Sequence, residues 1–218
     1  MRKQIYVTVL LLVLAGCSEE EKPPFTTGSR FSYATAYTYA EGRITRHDTL
    51  SFTIEEPDIT SYSTAFKKIK WENTRHDYFQ VRNMTVEEDR VELQLPLNYV
   101  GFDNELIAVA GHPLALTAAP EKQVFNEKKE YEDAYGSLDS TIIYQKTKYL
   151  RDTAINFDGQ MLPCRLFVKY NASEHEKLGR YKIQYTYNPQ YGFISIDYFY
   201  PNGKHIGLIL IDVAIKRR

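Results

Sequence analysis

A cysteine near the N-terminus is the residue whose neighbours most clearly define a chemical role. Cys17 follows the tripeptide Leu14-Ala15-Gly16, which ends an apolar run that begins at residue 5. Two basic residues stand before the run, so the segment has the positive, apolar and small-residue parts of an export signal. Roughly ten apolar residues are too few to cross a bilayer as a helix, which argues against a membrane-spanning anchor. An ordinary secretory signal is the other alternative.

The tetrapeptide Leu14-Ala15-Gly16-Cys17 resembles the lipobox of bacterial lipoproteins. The resemblance implies that the Cys17 sulfur takes a diacylglyceryl group, that residues 1–16 are removed as a signal peptide, and that the new N-terminus is acylated. It implies an envelope protein that contacts the membrane through this lipid. Ser18 after the cysteine is similar to the outer-membrane sorting pattern of many Gram-negative lipoproteins. The acidic triplet at 19–21 resembles a signal for surface export, and both orientations, periplasmic and surface-exposed, stay open.

The other residues that could do chemistry are scattered along the chain. The five histidines form no His-x-x-x-His pair, and the densest cluster, Glu174-His175-Glu176, reads as a solvated turn. Arg46-His47-Asp48 and Arg75-His76-Asp77 place an imidazole beside a carboxylate, but adjacent strand residues point to opposite faces. No nucleophile elbow, phosphate-binding loop or dinucleotide fingerprint is present. The sequence predicts no metal, no cofactor and no enzymatic activity. A hydrolase with an unrecognised site is the remaining enzymatic alternative.

Three tripeptides are similar to the acceptor of a bacterial O-glycosylation system, in which Asp precedes Ser or Thr. They predict exposed, modifiable hydroxyls at Thr49, Ser140 and Thr153. Strand starts favour the same residue types, so coincidence is the alternative.

Composition limits the class of protein further. Of the 218 residues, 27 are basic and 28 acidic; removing residues 1–16 takes away two basic residues, and 25 against 28 leaves a formal charge of −3. Nucleic-acid binding requires a strongly basic surface, so no nucleic-acid partner is expected. Cys164 would be the one cysteine left beside the lipid site, and its apolar surroundings predict a buried thiol.

Apolar and polar residues alternate with a period of two through most of the chain, which predicts β-strands. The clearest pattern is C-terminal, where runs near 181–187, 193–200 and 206–213 predict an antiparallel meander. The last run is nearly all apolar and should be its most buried strand. Asp158-Gly159 and Asn202-Gly203 predict hairpin turns, the second of type I′. Residues 62–71 fit a short helix or a strand equally well.

Three parts of the chain follow from these patterns. Residues 1–16 are the predicted signal peptide, 17–27 a charged, proline-bearing flexible tether, and 28–218 a single β-rich domain. No segment has a sustained helical period of apolar residues, so a helical bundle is excluded.

The order of turns and strands from Gly159 to Tyr198 resembles the C-terminal pattern of LolA/LolB-type lipoprotein carriers and their uncharacterised relatives. It comprises Gly159, the strand Leu166-Phe167-Val168-Lys169-Tyr170, the aromatic strand and turn from Tyr185 to Ile194, and Tyr198. The resemblance implies an antiparallel meander that forms a curved, open half-barrel with an apolar concave face. A closed up-and-down barrel is the alternative with the same signals.

The functional prediction combines the lipobox, the tyrosine-rich meander and the lack of a catalytic constellation. It is a lipid-anchored, non-enzymatic envelope protein, in the outer membrane, that binds a hydrophobic or amphipathic small molecule in its curved sheet. The candidate ligand-facing residues are Tyr185, Tyr187, Ile194, Ile196, Tyr198 and Tyr200. A filled core is the alternative role for these six residues. A structural lipoprotein that contacts an envelope or surface protein is the alternative function.

Overall fold

The computed structural model describes residues 25–38, 44–56, 65–73, 75, 77–96, 110–131, 141–171 and 179–216. Of residues 44–47, 129–131 and 141 it describes the backbone alone. The strands are β1 (Arg30–Thr38), β2 (Ile44–Ile54), β3 (Phe66–Asn73), β4 (Tyr78–Val86), β5 (Arg90–Leu93), β6 (Leu114–Leu116), β7 (Val124–Tyr131), β8 (Thr141–Phe157), β9 (Gln160–Asn171), β10 (Lys182–Asn188), β11 (Gly192–Phe199) and β12 (His205–Ala214). A short 3-10 helix, Pro120–Lys122, connects β6 to β7.

All twelve strands belong to one antiparallel sheet with the order β6-β5-β4-β3-β2-β1-β12-β11-β10-β9-β8-β7. The first and last strands, β1 and β12, pair in the middle of the sheet. The two edges, β6 and β7, are consecutive in sequence. The chain is therefore a meander that would close on itself if β6 and β7 paired, and it confirms the predicted open sheet rather than the closed barrel.

Contacts between distant strands show that the sheet is strongly curved. The Tyr185 hydroxyl on β10 donates to the Leu114 carbonyl on the edge strand β6 at 2.5 Å. The Arg90 guanidinium on β5 lies 5.4 Å from the centroid of the Phe125 ring on β7. Strands near opposite ends of the order touch, so one face of the sheet is concave and encloses the core.

Aromatic side chains fill the concave face over β1 to β3. Phe31 stacks on Phe52 with ring centroids 4.7 Å apart, and Phe52 meets the edge of Trp71 at 4.8 Å. Tyr33 lies beside them and donates its hydroxyl to the Phe193 carbonyl at 2.9 Å. Phe31 and Tyr33 of β1 are both buried, and burial of these rings stabilises the sheet where it curves over β1 to β3.

Phe25 belongs to the core, although it precedes the predicted domain boundary at residue 28. Phe25 is buried, with its ring centroid 5.7 Å from that of Phe31. Gly192 has φ +77°, and a Cβ there would approach the Phe25 ring to 2.8 Å. The free energy gained by burying this aromatic side chain exceeds the entropic cost of ordering its backbone. The end of the predicted tether therefore belongs to the core.

Two predictions about the C-terminal hairpin are wrong. Strand β12 is not fully buried, since Ile209 and Ile211 are more than half exposed on the outer face. The turn at Asn202-Gly203 is not type I′, because Gly203 alone has a positive φ there and its N–H donates to the Tyr200 carbonyl. Pro201 holds φ near −65° and takes the first inner position of a type I turn, which leaves the left-handed position to Gly203.

The remaining local predictions have clear outcomes. Residues 62–71 fitted a helix or a strand equally well, and those from Phe66 onward belong to β3, while 62–64 lie outside the described residues. Asp158 and Gly159 both have positive φ and connect β8 to β9, with Phe157 opposite Gln160. Both edges of the sheet resist further pairing, since β6 has three residues and β7 carries the charged run 127–130.

Candidate binding site at the seam of the sheet

The edge strands β6 and β7 are not joined by a β-ladder. Side-chain hydrogen bonds hold the segment around β6 in place instead. Residues 111–117, around β6, lie against the concave face of β9 to β11, and we call this contact the seam. Four side chains donate to its carbonyls: Tyr198 to Gly111 at 2.9 Å, Lys169 to His112 at 3.2 Å, Tyr185 to Leu114 at 2.5 Å and Arg165 to Thr117 at 2.7 Å. The backbone of residue 113 instead accepts from Leu93 of β5. The segment is thus hydrogen-bonded by backbone on one side and by side chains on the other.

Lys169 is a fully buried cation within the seam. Its Nζ lies 3.0 Å from Glu127 Oε2 on β7, and the Glu127 side chain is 24% exposed. The buried amide of Gln145 and hydroxyl of Thr147 lie on the neighbouring strand β8, where Thr147 is the register partner of Lys169. Burying a charge is costly unless it is paired and hydrogen-bonded, and Glu127 and the His112 carbonyl supply those partners. The seam is therefore polar in its interior, between apolar walls.

Gly111 allows the segment to approach β8 and β9 closely. Its φ is +79°, and a Cβ there would collide with Gln145 Oε1 and would lie 2.9 Å from Lys169 Nζ. Any residue with a Cβ would be strained by the left-handed conformation and would also collide with these side chains. The glycine lets the backbone reach the buried lysine.

Three of the six candidate ligand-facing residues line the seam or the core behind it. Tyr185, Ile196 and Tyr198 are fully buried and face inward, and two of them donate to the seam. Burial raises the pKa of the Tyr185 and Tyr198 hydroxyls, because the ionised form would lose its solvation. In this structure both hydroxyls donate hydrogen bonds to backbone carbonyls of the protein itself.

The other three candidates lie elsewhere on β10, β11 and the following turn. Tyr187 is buried against Phe193 with ring centroids 5.4 Å apart, and burial raises its pKa to about 12. Tyr200 is half-buried and meets the edge of the Tyr181 ring at 5.6 Å. Ile194 is buried at a bulge, so that Phe193 takes the place opposite Tyr187. Whether any of the six residues contacts a ligand stays a prediction.

Several predicted residues do not meet at this site. Thr49 is exposed and Thr153 half-buried, while Cys17 and Ser140 lie outside the described residues. Cys164 is buried as expected, and burial raises the pKa of its thiol. His175 and His76 lie outside the described residues, as does the side chain of His47. Within the described residues no three His, Cys, Asp or Glu side chains gather around a point that could hold a metal ion.

Sequence reasoning missed the side chains that organise the seam. The local pattern identifies Lys169 and Arg165 only as parts of a strand. Lys169 stands two residues after Phe167, however, and therefore points to the same inward face. A lysine on the apolar face of a strand was the available signal. The role of residues 111–117 depends on contacts across the whole sheet, which local pattern does not reveal.

Comparison with known proteins supports the N-terminal assignment. Residues 1–18 match a family model described as a prokaryotic membrane lipoprotein lipid attachment site. The lipobox prediction is confirmed, and this match implies that a lipid anchors the protein in the cell envelope. No curated protein matches the sequence. No helix among the described residues is long and apolar enough to cross a membrane.

Several solved structures are similar in fold at very low sequence identity. A protein from Bacteroides fragilis, described as exported and with a YmcC-like fold, has a TM-score of 0.47 at 9% identity and covers 88% of this chain and 97% of its own. The hypothetical lipoprotein YmcC from Escherichia coli K12 has a TM-score of 0.42 at 9% identity and covers 98% of each chain. A β-barrel-like protein of unknown function from Brucella abortus has a TM-score of 0.42 at 9% identity, with 88% and 99% covered. At these TM-scores the likeness carries no argument about function.

Proposed function

We propose that this lipoprotein binds an amphipathic small molecule on the concave face of its sheet, that it does so without catalysing a reaction, and that the ligand enters by opening the seam. The observation that supports the proposal is the way residues 111–117 are held. Four side-chain hydrogen bonds connect them to β9, β10 and β11, while the β5–β6 ladder holds them on the other side. Opening the seam breaks the first set and leaves the second intact.

Opening costs the free energy of these hydrogen bonds and of the apolar burial beside them. A buried hydrogen bond contributes about 0.5–1.5 kcal/mol net, so the four donors together contribute roughly 2–6 kcal/mol. Separation of Leu114 and Leu116 from the core adds to this cost. A ligand that covers the same apolar surface and accepts the freed hydrogen bonds shifts the population toward the open state.

The groups exposed by opening favour a ligand with a polar end and an apolar body. The Tyr185 and Tyr198 hydroxyls and the Lys169 ammonium would lose carbonyl acceptors that a ligand oxygen could replace. The rings of Phe167 and Tyr185, stacked with centroids 5.6 Å apart, offer apolar surface beside them. Each Å² of apolar surface removed from water contributes about 25 cal/mol.

The test measures uptake of a fluorescent fatty acid by residues 18–218. Tyr198→Phe removes one donor from the seam, so we expect faster uptake than in the wild type. Tyr33→Phe is the matched control, because it removes a buried hydroxyl bond of the same 2.9 Å length that lies away from the seam. Equal uptake rates in the two variants, or no uptake by any form, would contradict entry through the seam.

A second candidate function rests on the outer face. Phe79 and Val81 of β4 are 68% and 44% exposed, next to each other on the convex side. An exposed apolar patch of this kind favours contact with an envelope or surface protein. Cross-linking in the envelope with a photoreactive residue at position 79 would capture such a partner, and Phe79→Ser should reduce the capture.

We also propose an outer-membrane location for the lipid anchor. The support is Ser18 directly after Cys17, where an aspartate would favour retention in the inner membrane. Ser18→Asp should move the protein to the inner-membrane fraction on a density gradient. An unchanged distribution would contradict the proposal.

A further inference from the structure

The convex face of β8 to β12 carries a row of alternating cationic and aromatic residues. Neighbouring strands place them in register, and in order across the sheet they are Lys146, Tyr170, Lys182, Phe199 and His205. We call these five residues the convex row. Lys182 Nζ lies 4.1 Å from the centroid of the Phe199 ring, and the His205 ring stacks on Phe199 at 4.8 Å. The row is therefore a continuous feature and not a set of isolated side chains.

Alternation along each strand directs the row away from the core. The residues that follow it on β8, β10 and β12 are Thr147, Ile183 and Ile206, and all three are buried inside. The members of the row are half-buried, as expected for side chains that lie flat on a sheet surface. Adjacent strands are about 4.8 Å apart, so the row is about 19 Å long from β8 to β12.

Further cations surround the row. Lys148 follows Lys146 on the same face of β8, Arg180 is exposed just before β10, and exposed Lys128 of β7 is in register with Tyr144, which is 52% exposed. Among the described outward residues of β7 to β12 beside the row, Asp197 is the nearest acid. It is held by His205, with 2.8 Å between Oδ1 and Nε2. This concentration of positive charge stands out in a mature chain with 25 basic and 28 acidic residues.

The outer face of β3 makes the contrast clear. Lys68 lies 3.7 Å from Glu55, and Lys70 lies 2.6 Å from Glu72, so these lysines are neutralised locally. In the convex row, Lys182 lies over the Phe199 ring, and Lys146 is in register with Tyr170. Among the described residues, the lysines on the outer face of β3 are paired with acids, whereas basic residues outnumber acids in and beside the convex row.

We propose that the convex row docks on the anionic surface of the bilayer that holds the Cys17 lipid. Lysines near a membrane surface are attracted to anionic headgroups, and tyrosines favour the interface between headgroups and acyl chains. The eight residue steps from Cys17 to Phe25 span at most about 28 Å, which keeps the sheet close to the bilayer at high effective concentration. A lipid anchor combined with a basic surface is a known pair of signals for stable membrane attachment. The docked sheet lies with the convex side of β8 to β12 on the bilayer.

The test uses the lipidated full-length protein inserted from outside into vesicles of phosphatidylcholine, with or without phosphatidylglycerol. A brief reaction with a water-soluble amine reagent, followed by peptide mass spectrometry, measures the accessibility of each lysine. We expect labelling of Lys146, Lys148 and Lys182 to fall at least about threefold in the anionic vesicles, because each lysine contributes to the attraction. Lys68 and Lys70 are internal controls on the outer face of β3 and should not change.

High salt should restore the labelling, since it screens charges at a membrane surface. Replacing both Lys146 and Lys182 by glutamine should expose Lys148 in the anionic vesicles, with the β3 controls reporting an intact fold. Equal labelling in the two kinds of vesicle would overturn the proposal. Protection by a soluble acidic polysaccharide but not by anionic vesicles would also overturn it, and would assign the face to a glycan.

Discussion

At the scale of single residues, the buried lysine is the most unusual feature of the protein. Lys169 has no exposed surface, whereas its partner Glu127 keeps 24% of its side chain in contact with solvent. The two members of the pair therefore depend on each other unequally. Water can solvate Glu127 if the lysine is removed, but it cannot reach Lys169 if the carboxylate is removed.

This asymmetry predicts the order of two destabilising substitutions. Glu127→Gln removes the carboxylate that lies 3.0 Å from a buried ammonium and should cost about 3–5 kcal/mol of unfolding free energy. Lys169→Met keeps the length of the side chain, leaves a partly solvated carboxylate and should cost about 1–3 kcal/mol. Urea unfolding of both variants measures the difference. A larger loss in Lys169→Met would contradict the account of the ion pair.

Buried tyrosines predict the behaviour of the protein at high pH. Burial raises the pKa of Tyr33, Tyr185 and Tyr198 above the ordinary value of 10, because the folded state favours the neutral hydroxyl. A raised pKa in the folded state contributes stability that is present below pH 10 and is lost as the pH rises toward the folded pKa. The free energy of unfolding should therefore fall above pH 10. Tyrosinate absorbance followed together with near-ultraviolet circular dichroism tests this, and full ionisation near pH 10 with unchanged dichroism would contradict it.

At the scale of elements, the segment before β6 depends on one glycine. Gly111→Ala imposes a side chain on a left-handed residue and a collision with Gln145, so it should cost about 2–4 kcal/mol. Gly159→Ala is the matched control, because Gly159 has a similar φ of +77° and nothing within 4 Å of the added Cβ. The control should lose about 1 kcal/mol from backbone strain alone. Equal losses in thermal or urea unfolding would show that the close approach at Gly111 is unimportant.

Sequence patterns predicted the strands well where one face is apolar and the other polar. The alternation through β10 and β11 indicated the strands, and Tyr185 and Tyr198, nominated as facing the concave side, are buried there. The prediction failed where a single residue changes the register. The bulge at Ile194 brings Phe193 opposite Tyr187, and Pro201 changes the type of the following turn. Both depend on local geometry that a period-two pattern does not contain.

At the scale of the whole molecule, curvature decides where function can reside. The strand order brings the two ends of the meander, β6 and β7, to opposite edges of one sheet, and curvature then brings those edges together. The seam is a consequence of this closure and could not be predicted from local sequence, since its donors and acceptors are separated by up to 87 residues. The lipobox, in contrast, is contained in a few consecutive residues, and sequence alone identified it.

The two faces of the curved sheet suggest complementary roles. The concave face holds the seam with Lys169, Tyr185 and Tyr198. The convex face of β8 to β12 holds the row that includes Lys182 and Phe199. If the convex row contacts the bilayer, the seam residues lie on the opposite face of the same sheet. Ligand uptake and membrane docking can then fail independently, since no residue belongs to both faces.

Native mass spectrometry shows most directly whether the concave face binds an amphipathic ligand. Residues 18–218, purified gently from cells and measured before and after organic extraction, should show a bound mass that extraction removes. The released molecule should carry a polar group and an acyl or similar apolar body. A clean mass of the protein alone, together with no uptake of a fluorescent fatty acid by the wild type or by Tyr198→Phe, would contradict the claim.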